Sequence, residues 1–230
     1  PQEFVDTLSP ITPRLYSISS SPKSHPREVH ITVAVVKYNN FERDRFGLAT
    51  GDLSNRIEVN KTRIPVYIQP TKEFVIPDDS SKDIIMIGPG TGIAPFRAFL
   101  EQRIEEKGTG RNWLFFGEIH EKSTFFYKDE WFEAMKNGHL QKLTTAFSRD
   151  QEHKIYVQHR LLGNSKEIWE WLQSGSYFYV CGDKQYMAKD VHSALIEIAR
   201  TEGKLKKEDA ENYINQTLMK DERRYLRDVY

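Results

Sequence analysis

The run Ile84-Ile85-Met86-Ile87-Gly88-Pro89-Gly90-Thr91-Gly92-Ile93-Ala94-Pro95-Phe96-Arg97-Ala98-Phe99-Leu100 constrains the fold more than any other part of the sequence. Four consecutive apolar, mostly β-branched residues predict a strand buried on both faces, as in a parallel sheet. The apolar residues around and after Pro95 recur at helical spacing, and proline suits the first turn of a helix. Between strand and helix, Gly88, Gly90 and Gly92 remove Cβ atoms where the chain must turn sharply. A phosphate can approach backbone N–H groups there, at the positive end of the following helix. Two common phosphate sites are excluded. No Gly-Lys-Ser/Thr follows, as a P-loop requires, and the third glycine of a dinucleotide fingerprint is replaced by Ile93. No acidic residue closes a strand about twenty residues later to hold a ribose 2′-hydroxyl, so an ordinary NAD site fits poorly.

At 230 residues the chain has room for one large domain or two smaller ones. Lys+Arg and Asp+Glu both number 33, so no overall field favours nucleic acid or an acidic membrane, and neither is expected as a partner. The single cysteine, Cys181, excludes an internal disulfide and fits a reducing compartment; a cytoplasmic location is expected. No apolar run approaches the ~20 residues of a membrane span. Pro1-Gln2-Glu3-Phe4 lacks an initiator Met and the features of a secretion signal, and reads as the start of a fragment. The seven histidines show no metal-ligand spacing, and no metal is expected.

Read in order, the first third predicts antiparallel β structure. Residues 14–20 alternate in character, 22–26 supply a turn, and 29–38 form the most β-branched strand candidate, followed by a glycine-bearing turn and short helix over 46–56 and a strand over 63–69. The polar stretch 78–82 places a boundary between a domain over 1–81 and a second over 82–230. From Asp83 strands and helices alternate. Strands are predicted over 84–87, 112–117, 141–147 and 177–182, with helices over 128–137, 166–173 and 187–200. Such alternation predicts a parallel sheet wound by helices, with the ligand at the C-terminal ends of the strands.

Arg14-Leu15-Tyr16-Ser17, Gly47-Leu48-Ala49-Thr50, Gly88-Pro89-Gly90-Thr91-Gly92, Ser148-Arg149, Lys154-Ile155-Tyr156-Val157-Gln158, Cys181-Gly182-Asp183 and a final aromatic residue stand in the order and spacing of the ferredoxin–NADP reductase superfamily. Within it, the chain resembles the C-terminal half of diflavin reductases, and more narrowly the flavoprotein subunits of NADPH-dependent sulfite reductases. The resemblance runs from about Pro10 to Tyr230.

The resemblance implies a partial antiparallel FAD-binding β-barrel followed by a five-stranded-type parallel α/β domain for NADP(H). It implies that Arg14 pairs with the flavin pyrophosphate, that Leu15 and Tyr16 lie along the isoalloxazine with Tyr16 stacked on it, and that Ser17 hydrogen-bonds near its N5. An aromatic plane and a guanidinium fork suit those ligands. Thr32, Val33 and Ala34, with Tyr38, would meet the adenine side, and Gly47, Leu48, Ala49 and Thr50 the second pyrophosphate edge. In the second domain Gly88, Gly90, Thr91 and Gly92 would receive the NADP pyrophosphate and nicotinamide end. Ser148, Arg149, Lys154 and Tyr156 would hold the 2′-phosphate and adenine, with Gln158 and Asp190 completing the adenosine contacts. A dianionic phosphomonoester calls for cations and hydroxyls where an NAD site would carry a carboxylate. Cys181, taken alone a small apolar filler, would by resemblance sit against nicotinamide C4 and shape the hydride path with Ser17 and Asp228, while Tyr230 would stack on the flavin.

Leu48 and Gly51-Asp52 depart from the commonest family residues. The family's FMN-binding flavodoxin-like domain, first barrel strands and helical connecting domain are not found in the sequence, so exposed β edges are expected. The implied activity is hydride transfer from NADPH to FAD, then electron transfer to an FMN domain or subunit, with a sirohaem sulfite reductase subunit as a further partner. The same module of a cytochrome P450 reductase-type protein, or a nucleotide-binding remnant without flavin, are the alternatives.

Overall fold

A computed structural model describes residues 2–230. Contacts divide the chain into two compact units, one of residues 2–17 and 33–67, the other of 18–32 and 68–230.

The first unit holds a short helix α1 (Gln2–Asp6), an antiparallel pair β1 (Lys37–Asn40) and β2 (Arg43–Phe46), and α2 (Leu48–Asn55). β1 and β2 pair from Lys37↔Phe46 to Asn40↔Arg43. The two-residue turn between them places Phe41 and Glu42 at φ 49° and 57°, the left-handed geometry that matches strand twist in a tight hairpin. Regular β structure is scarcer than the sequence predicts. Of the expected strand over 29–38 only Lys37 and Tyr38 lie in a strand, with an isolated bridge between Ile18 and Ile31, and 63–69 forms none. The physical reason is pairing: β-branched residues favour extended backbone, but a strand exists only where a neighbour accepts its hydrogen bonds. Val29, Val35, Val36, Val66, Tyr67 and Ile68 are accordingly exposed.

The second unit contains β3 (Ile84–Ile87), a 3₁₀ turn (Gly90–Ile93), α3 (Ala94–Glu105), β4 (Asn112–Glu118), α4 (Glu121–Thr124), α5 (Lys128–Lys136), β5 (Lys142–Phe147), α6 (Val157–Gly163), α7 (Ser165–Gln173), β6 (Tyr177–Gly182), α8 (Met187–Glu202), α9 (Lys207–Asn212), a π-helical stretch (Tyr213–Asp221) and β7 (Tyr225–Val229). The five strands form one parallel sheet in the order β5-β4-β3-β6-β7. This bears out the predicted parallel α/β layer; the antiparallel part is seen only as the β1–β2 pair.

Period-two alternation explains why the strands are apolar throughout. Ile85 and Ile87 pack with Trp113, Phe115, Phe178 and Val180 against α6, α7 and α8, whereas Ile84 and Met86 pack with Leu114, Phe116, Tyr179 and Cys181 against α3 and α5. All four β3 side chains are fully buried, each contributing roughly 1.5–3 kcal/mol by removal from water. Residues 18–32 lie on α3: Ser19 N–H donates to His30 O at 2.8 Å, Ser21 N–H to Glu101 at 2.8 Å, and Arg97 Nη1 to Ser19 O at 2.7 Å. The Arg97 charge is taken up by Glu130 at 2.6 Å and Glu101 at 3.0 Å. No described helix is long and apolar enough to cross a membrane.

Candidate functional site

From β3 the chain runs outward through β4 to β5, then returns to lay β6 on the other side of β3. The carboxyl ends of β3 and β6 therefore flank the point where strand order reverses, the position at which open α/β sheets hold their ligands. Gly88–Gly92 leaves β3 there and Cys181-Gly182-Asp183 leaves β6. Gly90 has φ +58° and Gly182 φ +129°, conformations that exclude most side chains. Gly92 is required for another reason: a Cβ on it would lie 2.1 Å from the Cys181 carbonyl oxygen. The two turns thus meet backbone to backbone, which leaves a cradle without side chains at the sheet's carboxyl edge.

β7 completes that edge. Its register sets Asp228 beside Cys181, whose Sγ is fully buried and 3.9 Å from Asp228 Oδ2. Tyr230 N–H donates to Gly182 O at 3.2 Å, and the Tyr230 hydroxyl lies 3.1 Å from Thr91 Oγ1, although the residue is 62% exposed. Thr91, Cys181, Asp228 and Tyr230 are therefore brought together. The Asp183 carboxylate accepts N–H groups of Tyr186 and Met187 at 2.6 and 2.9 Å, which draws its pKa down and fixes the turn into α8.

A second group of predicted residues follows β5. The Ser148-Arg149 turn is fixed to the exit of β4, with Ser148 N–H donating to Glu118 O at 2.8 Å and Arg149 N–H to Ile119 O at 3.0 Å. Among the described residues, no ion pair or side-chain hydrogen bond engages the Arg149 guanidinium or the Lys154 ammonium. Tyr156, 42% exposed, leads into α6, and Gln158 Nε2 donates to Asp190 Oδ2 at 2.9 Å. Two residues missing from the sequence reading, His120 and Asp150, sit in the same place: His120 Nδ1 donates to Asp150 Oδ1 at 2.7 Å. Thirty residues separate them along the chain, so no local pattern signals the pair.

The residues expected to meet flavin are placed as follows. Arg14, Leu15, Tyr16 and Ser17 lie in the first unit outside any helix or strand, Arg14 Nη1 donating to Thr12 O and Oγ1 at 2.5 and 2.7 Å. In that unit Gly47 N–H donates to Val36 O at 2.8 Å and Val36 N–H to Thr50 Oγ1 at 3.1 Å, so the start of α2 is bound to the segment that carries Val33 and Ala34 and leads into β1 with Tyr38. Leu48 and Tyr38 are exposed. Thr32 belongs to the second unit, its hydroxyl 2.6 Å from that of Tyr127.

The histidines, which show no metal-ligand spacing in sequence, include one group that the fold gathers: ligand atoms of His25, Glu28 and His30 lie within 4.8 Å of one another. Arg97 Nη1 sits 3.2 Å from His30 Nδ1, and a guanidinium can only donate. His30 Nδ1 is therefore the acceptor, and Nε2 carries the proton that faces Glu28 at 2.9 Å. Both histidines face Glu28, and Arg97 joins the group through His30.

Comparison with known proteins agrees with the geometry. Residues 86–193 match the family described as oxidoreductase NAD-binding domain, and residues 1–51 the family described as FAD binding domain. The chain is 50% identical over 229 residues to the sulfite reductase [NADPH] flavoprotein alpha-component of Mannheimia succiniciproducens, covering 100% of this chain and 38% of that protein. It is 46% identical to the proteins of the same name from Vibrio parahaemolyticus, over 99% of this chain and 36% of that protein, and Bacillus subtilis, over 100% and 37%. The chain thus spans less than two-fifths of the length of these relatives.

Proposed function

We propose that this chain, whose residues 1–51 match an FAD binding domain and 86–193 an oxidoreductase NAD-binding domain, is an NADPH-dependent reductase module that passes electrons through FAD. The observation that carries this reading is the carboxyl edge of the sheet, where the Gly92 and Cys181 backbones touch and Thr91, Asp228 and Tyr230 surround them. The residues present fit the nucleotide. A backbone-lined cradle admits a pyrophosphate, and Arg149, next to Ser148 in the chain, and Lys154 in the same connection after β5 have no partners among the described residues and suit a 2′-phosphate. A chain built for NAD would carry a carboxylate facing the ribose instead.

When bound, NADPH and FAD supply the hydride chemistry; the chain supplies binding, orientation and electrostatics. Arg149, Lys154 and Ser148 hold the 2′-phosphate, and Tyr156, Gln158 and Asp190 the adenosine. Within the turn, Gly88 N–H donates to Phe115 O and Gly92 N–H to Pro89 O, and Pro89 has no N–H, so the pyrophosphate is assigned to the backbone N–H groups of Gly90 and Thr91. Cys181, fully buried, closes the floor against water, and Asp228 beside it stabilises positive charge developing on a nicotinamide ring. In residues 1–81, Arg14, Tyr16, Ser17, Thr32, Val33, Ala34, Tyr38 and Gly47–Thr50 are assigned to FAD. The exposed β-branched residues there are assigned to the partial FAD barrel, whose remaining strands the longer relatives have room to contain. The onward acceptor in this reading is a flavodoxin-like domain carrying FMN, and beyond it a sirohaem sulfite reductase subunit in the cytoplasm.

Anaerobic titration of the FAD-loaded chain with NADPH tests the proposal. Bleaching of the flavin band is expected. A flavin-loaded protein whose band NADPH leaves unchanged would overturn it.

A further inference from the structure

An aspartate inside an anion site demands explanation, since a carboxylate two positions from Ser148 repels a phosphate dianion. Asp150 occupies that position, and its charge is spent elsewhere. Oδ2 accepts the Glu121 N–H at 2.8 Å and Oδ1 the His120 Nδ1 proton at 2.7 Å, and these bonds hold its pKa below the usual carboxylate range. His120 belongs to the loop that leaves β4 and Glu121 opens α4, whereas Asp150 belongs to the loop that leaves β5. The backbone repeats the connection one step earlier, through Ser148 N–H to Glu118 O and Arg149 N–H to Ile119 O. Four hydrogen bonds in register, two from backbone and two to the Asp150 carboxylate, therefore bind the two loops together over 118–121 and 148–150.

The 118–121 side is itself fixed. His120 N–H donates to Thr124 Oγ1 at 3.1 Å, and Thr124 Oγ1 donates back to His120 O at 2.7 Å, tying the loop to α4. Lys128, from α5, pairs with Glu121 at 2.7 Å. The Arg149 guanidinium, by contrast, has no partner among the described residues. A cation on a long side chain recognises a phosphate well only when its backbone is held, because otherwise binding must also order the loop.

We propose that His120 and Asp150 form a clamp that positions Ser148 and Arg149 for the 2′-phosphate, so that selectivity for NADP over NAD depends on the loop after β4 as well as on the residues that touch the ligand. This inference rests on the reading of Ser148 and Arg149 given above. His120 and Asp150 are positioning residues: they act through the turn that they hold.

The test is calorimetric binding of 2′,5′-ADP, which carries the 2′-phosphate, and of 5′-AMP, which does not. The proteins compared are the chain and its Arg149→Ala, Asp150→Ala, His120→Ala and His120→Asn variants. Asp150→Ala and His120→Ala are expected to weaken 2′,5′-ADP about three- to tenfold and leave 5′-AMP unchanged. His120→Asn, whose side-chain amide offers a donor near the position of Nδ1, restores most of the loss. Because neither nucleotide needs flavin, the readout does not depend on reductase activity. If Arg149→Ala weakens 2′,5′-ADP while neither Asp150→Ala nor His120→Ala does, the clamp is overturned and the phosphate site stands. If Arg149→Ala changes nothing, the phosphate site itself fails and the clamp fails with it. Equal losses for both nucleotides in the Asp150 and His120 variants, or no rescue by asparagine, assign the pair a structural role only and overturn the inference.

Discussion

A Cβ placed on Gly92 would stand 2.1 Å from the carbonyl oxygen of Cys181 and 2.7 Å from its carbonyl carbon. The clash is with backbone, so no rotamer change relieves it; one of the two turns at the sheet's carboxyl edge must move. Gly92→Ala is therefore expected to lower stability by about 1–3 kcal/mol and to weaken nucleotide binding at the same time. Urea unfolding and NADP⁺ calorimetry check both effects, and a variant with unchanged midpoint and affinity would show that the turns do not meet.

The second expectation concerns Tyr230. Its ring is largely open to solvent, while its hydroxyl reaches Thr91 Oγ1 at 3.1 Å and its N–H bonds Gly182. Lys184 N–H also donates to Tyr230 O at 3.0 Å, so the backbone is pinned, whereas the ring is held by the single Thr91 bond and can swing aside at low cost. Tyr230→Ala is expected to tighten both NADPH and NADH and to shift the NADPH/NADH ratio of kcat/KM toward one, because NADH, lacking the 2′-phosphate contacts, gains more. Tyr230→Phe, which keeps the ring and loses only the Thr91 bond, should stay near wild type. A Tyr230→Ala ratio equal to wild type counts against a ring covering the nicotinamide position.

The third turns on His192 of α8, whose Nδ1 lies 3.2 Å from the hydroxyl of Tyr225. Burial, with Arg227 adding repulsion, holds the imidazole below its ordinary pKa. As pH falls through the unfolded value of about 6.5, the unfolded chain takes up a proton that the folded chain resists, so this contribution is intact above that pH and is lost below it. Urea midpoints at about pH 7.5 and about pH 5 should differ more in wild type than in His192→Gln. Equal differences would mean that His192 titrates normally.

What could be read from the sequence followed from local physics. The four apolar residues of β3, the apolar runs of β4 and β6, and the amphipathic spacing of α5, α7 and α8 all satisfy their own periodicity, and the parallel sheet follows from them. β7 was legible only as a tail, because Tyr225-Leu226-Arg227-Asp228-Val229 is an edge strand with an exposed Arg227 at its centre and a pairing with β6 that is not local. α6 was read as a ligand motif, since Lys154, Tyr156 and Gln158 look like contacts before they look like the entry to a helix. In 29–38 and 63–69 the error ran the other way: β propensity is strong, but only a paired neighbour turns it into a strand. At the candidate site, Gly92 and Cys181 were visible as motifs, but their contact was not. The His120–Asp150 pair, which joins two loops across the sheet, had no sequence signal at all.

The measurement that tests the central claim most directly is anaerobic stopped-flow reduction of the FAD-loaded chain by NADPH and by NADH, in wild type and in Arg149→Ala. Loss of one charge-assisted contact to the 2′-phosphate is worth about 1.5–3 kcal/mol, or roughly ten- to a hundredfold. The account predicts flavin bleaching by NADPH in wild type, a loss of that size in Arg149→Ala, and a nearly unchanged rate with NADH. Equal losses for the two nucleotides, or a wild-type flavin that NADPH does not reduce, would contradict it.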